Sequence, residues 1–217
     1  MKIVPIILET SLLQFRQTLL SVAPLSNRLN IDLCDGIVAP NKTLNLNEVI
    51  GELQNYPELL ASKKWDFDLM VKDYLPLLEE LNKQPEELQI NSVVVHQKYW
   101  QKGLLTDYDL GVAIDLDDEI DQKIINQVSL VQIMTINLGF QGSTFTKEAL
   151  TKITALRTNG YEGQIIIDGG VNERTLPEIL ENKGLPDVVG VGSYLAQATN
   201  PEANYKKLLS LINEHDY

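Results

Sequence analysis

A closed (β/α)8 barrel is predicted by three features of this chain. Short apolar runs alternate eight times with longer amphipathic stretches, the rhythm of parallel strands joined by crossover helices. The runs Val93-Val94-Val95 and Ile165-Ile166-Ile167 carry no polar alternation, which describes strands covered on both faces. The 217 residues, 44% hydrophobic and 22% charged, can bury a core of α/β-barrel size. No Gly-x-Gly-x-x-Gly follows the first strand, so the main signal of a dinucleotide-binding open sheet is missing. With no repeat, low-complexity tract or linker, residues 1–217 are expected to form one barrel domain.

Ile3 to Leu8 reads as the first strand, and Leu12, Phe15, Leu19 and Val22 put one apolar stripe on a helix from Leu12 to Val22. Leu29 to Cys34 is the second strand. A loop holding Asp35, Gly36, Pro40 and Asn41 follows, then a short helix over Leu46 to Leu53 that ends near Pro57. Trp65 to Val71 is the third strand, with its helix over Asp73 to Asn82, and Ile90 to His96 is the fourth. Only about a dozen residues separate His96 from the fifth strand, Leu110 to Leu116, so the fourth helix must be stunted. Tyr99, Trp100 or Leu104 should fill the resulting gap, or a second subunit of a homo-oligomer should cover it. Ile120 to Ile125 is a short fifth helix, Leu130 to Asn137 the sixth strand, Thr146 to Thr158 the sixth helix and Gln164 to Asp168 the seventh strand. Two glycines let the backbone turn after Asp168, and Asn172 offers a cap to a helix from Glu173 through Lys183. Val188 to Val191 is the eighth strand, and a closing helix runs from about Pro201 to Glu214.

The net charge of −12 argues against nucleic acid or an anionic membrane as partner. A single cysteine, Cys34, excludes an intramolecular disulfide, and with two histidines there is no Cys/His zinc cluster. No apolar run reaches about 18 residues and no signal-peptide core follows Met1, so a cytoplasmic setting is expected.

Working residues of such barrels sit at the C-terminal strand ends. There the second strand carries Asn30, Asp32 and Asp35, the third Asp66 and Asp68, the fourth His96 and the seventh Asp168. Alternation points Asn30 the same way as Asp32, and Asp66 the same way as Asp68, so several carboxylates are expected to line one mouth. Gathered carboxylates repel, which calls for a divalent cation or raised pKa values, and an oxygen-rich set favours Mg²⁺ or Mn²⁺ over zinc. The plain alternative is a set of solvated loop acids in an acidic protein. Glycine-bearing loops at Asn137 to Ser143, Gly169-Gly170 and Gly190 to Ser193 put backbone donors at three consecutive strand ends, a phosphate site rather than three plain turns. Cys34 reads as a small apolar filler, Met70 and Met134 as core, and His96 as either a substrate contact or a packing residue.

Taken together, the chain resembles ribulose-phosphate 3-epimerases. The likeness runs through Val4-Pro5-Ile6-Ile7-Leu8, Asn30-Ile31-Asp32-Leu33-Cys34-Asp35-Gly36 with Pro40-Asn41, Asp66-Phe67-Asp68-Leu69-Met70-Val71, Val95-His96, Met134-Thr135-Ile136-Asn137 with Gly139-Phe140, Asp168-Gly169-Gly170-Val171-Asn172 and Gly192-Ser193. The resemblance implies a barrel of the ribulose-phosphate-binding type that inverts carbon 3 of a ketopentose phosphate through a metal-stabilised enediolate, with Asp32 and Asp168 as the acid/base pair. It implies a cation held at Asn30, Asp32, Asp68 and Asp168. It also implies a phosphorylated ketose bound by His96, Gly139, Phe140, Gln141, Gly142, Gly169, Gly170, Gly192 and Ser193.

The chain departs from that pattern at several positions. Two metal-binding histidines of the family fall at Asn30 and Asp68, a substrate-touching serine at Ile6, a methionine at Cys34 and a loop glycine at Gln141. Three readings follow. One is an epimerase, or isomerase of a related sugar phosphate, working with an all-oxygen Mg²⁺ or Mn²⁺ site. Another is a catalytically degenerate barrel that binds a sugar phosphate. The third, a lyase or aldolase-type synthase, needs Asp-x-Lys where this chain has Asp66-Phe67-Asp68, and so ranks last.

Overall fold

The computed structural model describes residues 1–104, 106–138 and 144–215. Eight parallel strands close in chain order: β1 (Lys2–Ile7), β2 (Arg28–Cys34), β3 (Lys64–Met70), β4 (Ile90–His96), β5 (Asp109–Ile114), β6 (Leu130–Met134), β7 (Gln164–Asp168) and β8 (Val188–Val191). β1 pairs with β8 through Lys2↔Val188 to Pro5↔Val191, which leaves no free edge in the barrel. The helices are α1 (Leu12–Val22), α2 (Leu46–Leu53), α3 (Pro57–Ser62), α4 (Leu75–Leu81), α5 (Gln122–Ile125), α6 (Thr151–Thr158), α7 (Leu176–Leu180), α8 (Ser193–Ala196) and α9 (Pro201–His215).

Local chemistry accounts for the element ends. Ser11 caps α1, accepting from the Gln14 N–H, and Asn45 with Glu48 forms a reciprocal capping box on α2. Pro57 starts α3, a helix the sequence reading lacks. Its fixed φ and missing donor suit a first helical turn as well as they end a preceding one. α7 is much shorter than Glu173 to Lys183: the Asn172 side chain accepts from the Arg174 and Thr175 N–H groups in a turn, and Pro177 opens the helix later. β6 stops at Met134, short of Asn137, because the Thr135 hydroxyl turns to donate to the Asp168 and Gly169 carbonyls, at 2.9 and 2.5 Å. The fourth unit is reduced to a 3₁₀ turn over Gln97–Tyr99, with Tyr99, Trp100 and Leu104 half-buried against the core.

Two apolar layers make up most of the core, with a small third cluster of Cys34, Ala39 and Met70. Leu, Ile, Val and aromatic side chains such as Trp65, Phe67 and Ile167 fill the layer between sheet and helices. Inside the barrel lie Val4, Val94, Ala113, Leu130, Met134, Ile166 and Val188. Space there is tight, and a Cβ on Gly111 would meet Leu130 Cδ2 at 2.3 Å.

Below that layer Asp66 is buried against Arg28, Asn91 and Ser92, accepting from the last two at 2.8 and 2.7 Å. Asp66 therefore does not line the mouth with Asp68. The two share an orientation, but two residues of strand rise put them in different layers of the barrel, and an arginine neutralises the lower one. Among the described residues no helix is long and apolar enough to cross a membrane.

Candidate active site

The C-terminal mouth gathers polar side chains that strand alternation turns inward. Asp32 on β2, Asp68 on β3 and Asp168 on β7 are each 7% exposed or less, and each places a carboxylate oxygen within 4.8 Å of the other two. Two unit charges that close repel by at least about 3 kcal/mol at an effective dielectric near 20, so three bare carboxylates are not a stable set. Protons, hydrogen-bond donors or a cation must compensate.

The compensating groups come from β2, β4 and β6. The Asn30 side-chain amide donates to Asp32 Oδ1 at 2.6 Å. Gln132, buried on β6, donates through Nε2 to Asp68 Oδ2 at 2.7 Å and reaches Asp168 Oδ2 at 3.5 Å. His96 lies with Nε2 3.3 Å from Asp68 Oδ1, and its Nδ1 is 2.8 Å from Asp115 Oδ1. Neither His96 Nε2 nor Asp68 Oδ1 has a hydrogen-bond partner among the described residues.

Electrostatics follow this layout. Burial, then repulsion from Asp168 and Asp68, pushes the Asp32 carboxyl well above the usual carboxylate range against the Asn30 hydrogen bond. Burial and Asp68 push Asp168 up to about 7, opposed by His96 and a Gly169 backbone hydrogen bond. Burial opposes charge on His96, but Asp68 and the hydrogen bond to Asp115 outweigh it and hold its pKa up at about 10. Burial, reinforced by the nearby aspartates, raises the Cys34 thiol far out of the nucleophilic range, and its packing against Ala39 and Met70 makes it the expected filler.

Asp32 and Asp168 face a pocket also lined by Ile6, Met70, Met134, Gly169, Gly170, Gly192 and Ser193. Gly169 and Gly170 take φ +113° and +67°, a region that glycine reaches without strain, and a Cβ on Gly169 would meet Ile136 Cγ1 at 2.4 Å. Ile6 fills space in the same pocket: its Cδ1 lies 2.5 Å from where a Gly190 Cβ would stand. Gly139, Phe140, Gln141 and Gly142, expected at the phosphate end, lie outside the described residues. Asp35 does not line this pocket. Its carboxylate accepts from the backbone N–H groups of Ile37, Val38 and Lys72 and ties two loops together.

Asn30, Asp32, Asp68, His96 and Asp168 thus converge, while Gln132 and Asp115 were missed. Gln132 carried a signal, a lone amide inside the apolar run Leu130–Met134 with the inward parity of Met134. Asp115 carried one as well, an acid at the C-terminal end of the expected fifth strand, and it lies directly after β5. The set fits a hard divalent cation: three clustered carboxylates supply the oxygen donors, and one buried oxygen, Asp68 Oδ1, lacks a hydrogen-bond partner.

Residues 2–195 match the model of the ribulose-phosphate 3 epimerase family. Relatives bearing the name ribulose-phosphate 3-epimerase include one from Helicobacter pylori, 27% identical over 209 residues, covering 91% of this chain and 92% of that protein. A second, the cytoplasmic isoform from Oryza sativa, is 27% identical over 182 residues, 80% of this chain and 77% of the relative. One from Treponema pallidum is 38% identical over 81 residues, with 36% of each chain covered. Among solved structures, 3-hexulose-6-phosphate synthase from Salmonella typhimurium superposes with a TM-score of 0.67 at 15% identity, covering 99% of this chain and 100% of that one. KGPDC from Streptococcus mutans in complex with D-R5P gives 0.67 at 12% identity, with 98% and 97% covered. At such identities the two structures speak for the barrel alone.

Proposed function

The chain belongs to the ribulose-phosphate 3-epimerase family, and on that premise we propose that it is an isomerase that inverts carbon 3 of a ketose phosphate by a 1,1-proton transfer. The observation that carries this reading is the pair Asp32 and Asp168, both buried, both facing one pocket and both driven toward the protonated form by burial and like charge. Epimerisation next to a carbonyl needs a base on one face of the carbon acid and an acid on the other. Burial and like charge push both carboxyls toward the protonated form, and repulsion between them disfavours the doubly charged pair, which suits the set to accept and return a proton. One aspartate takes the proton from carbon 3, leaving an enediolate, and the other returns a proton to the opposite face.

Asn30 and Gln132 orient Asp32, Asp68 and Asp168 by donating to them. A divalent cation held by Asp32, Asp68 and Asp168, with Asn30 alongside, would supply positive charge for the developing oxyanion, and the oxygen-rich set favours Mg²⁺ or Mn²⁺. The phosphate of the ketose is assigned to the glycine-lined wall at Gly169, Gly170, Gly192 and Ser193, with Gly139 to Gly142 following β6 in sequence.

The test is inversion itself. Incubated with a ketopentose phosphate and Mn²⁺ or Mg²⁺, the protein should yield the carbon-3 epimer by NMR, and Asp32→Asn should abolish the conversion. A second reading, a sugar-phosphate binder without turnover, is favoured by Ile6, whose apolar side chain occupies the pocket beside Asp168. It predicts ligand-dependent thermal protection with no epimer formed.

A further inference from the structure

Thr135, directly after β6, grips the turn that carries Asp168. Its hydroxyl lies 2.9 Å from the Asp168 carbonyl and 2.5 Å from the Gly169 carbonyl, so one buried group holds the peptides on both sides of the Gly169 Cα. The Thr135 backbone is committed as well. Its N–H donates to the Asp168 carbonyl at 2.8 Å, and its carbonyl accepts from the Thr146 N–H at 2.7 Å. A trans peptide is planar, with its C=O and N–H pointing in opposite directions. The peptide between Asp168 and Gly169 is therefore fixed at its oxygen by Thr135, while its N–H donates to the Asp168 carboxylate. Gly169, at φ +113°, and Gly170, at φ +67°, have no Cβ to limit rotation of these planes. A hold from outside the turn keeps the plane, and with it the carboxyl, in one orientation.

We propose that Thr135 is a positioning residue for the proton transfer, its hydroxyl fixing the place of the Asp168 carboxyl through the intervening peptide. The inference rests on the epimerase reading above, in which Asp168 exchanges a proton with carbon 3. Thr135 is fully buried and does not line the pocket that Asp32 and Asp168 share, so it acts on turnover through another group. Of the groups it holds, Asp168 is the one that moves a proton. A disturbance passed instead through Gly169 to the glycine-lined wall would appear in KM. A hydroxyl that served the fold alone would change stability and leave the rate per folded molecule where it was. Misplacing a reacting group by about 1 Å costs up to about 10²-fold in rate, which sets the scale of the effect.

The test is turnover of a ketopentose phosphate by the full chain at saturating Mn²⁺, with rates taken per folded molecule. Thr135→Val keeps the shape of the side chain and removes the hydroxyl, so kcat should fall about 10- to 100-fold with KM little changed. Thr135→Ser keeps the hydroxyl and should restore most of the rate. In the Asp168→Asn background Thr135→Val should cost nothing further, because the carboxyl it positions is gone. Thr135→Ala takes the place of Thr135→Val if the valine variant fails to fold. Wild-type kcat in the variant, a loss confined to KM, an equal fall in the Asp168→Asn background or no rescue by serine would each overturn this proposal and leave the epimerase standing. A wild type that forms no epimer overturns both.

Discussion

At the scale of single residues, the mouth stores protons that the unfolded chain would release. Asp168 rises from 3.8 to about 7 and His96 from 6.5 to about 10, so between those values the folded state binds more protons than the unfolded one. Both contributions have the same sign. The Asp168 part is fully present below its unfolded value and is lost as pH rises through about 7; the His96 part is lost as pH rises through about 10. Without added cation, stability in urea should therefore fall steadily from mildly acid to alkaline pH. Asp168→Asn should flatten the lower part of that fall and be the more stable protein on its alkaline side. A profile for that variant parallel to the wild type would contradict the assignment. These residues also mark what sequence can reveal. Strand parity paired Asn30 with Asp32 and Asp66 with Asp68, and the family resemblance joined Asp168 to them, but parity is blind to depth. Asp66 looked equivalent to Asp68 and proved to be the partner of Arg28, a pairing that depends on the β2–β3 register. Gln132 matters through a contact made across the barrel to Asp68 and Asp115 through one to the neighbouring strand's His96, and no local pattern encodes either partner.

At the scale of elements, the strand ends and the turns after them set the site. Gly169 carries the chain out of β7 at φ +113° with Ile136 packed where a side chain would go. Gly169→Ala should cost more than about 1 kcal/mol in urea unfolding and should also impair proton transfer, since it displaces the neighbouring Asp168. Asn45 stands in contrast, because it caps α2 on the barrel's outside. Asn45→Ala should cost about 0.5 to 2 kcal/mol and leave epimer formation unchanged per folded molecule. Equal effects of the two substitutions on turnover would mean that the β7 turn has no special part in the site. Buried strands were the easiest elements to read, because runs such as Val93 to Val95 admit no other environment in a barrel of this length. Helix starts were harder: Pro57 and Pro177 both open helices, and a proline punctuates a sequence without saying on which side the helix lies.

At the scale of the whole molecule, closure of eight strands brings together side chains that lie far apart in sequence, Asp32 from β2 and Asp168 from β7, over an interior of small and branched residues. The barrel is the part the sequence announces most clearly. The chemistry is less legible, because residues that compensate three buried carboxylates come from β2, β4 and β6. A ligand that fits this mouth should stabilise the whole fold: a ketopentose phosphate at 100 times its Kd should add about 2.7 kcal/mol to unfolding, visible as a rise in Tm. Proton transfer is the sharper criterion. In D₂O with Mn²⁺, the first epimer formed from a ketopentose phosphate should carry deuterium at carbon 3 while recovered substrate stays protiated, because different carboxyl groups remove and return the proton. Asp168→Asn should lower the rate by about 10² to 10⁴. Exchange that survives Asp168→Asn unchanged, or ligand protection with no deuterium in either sugar, would contradict the two-aspartate account.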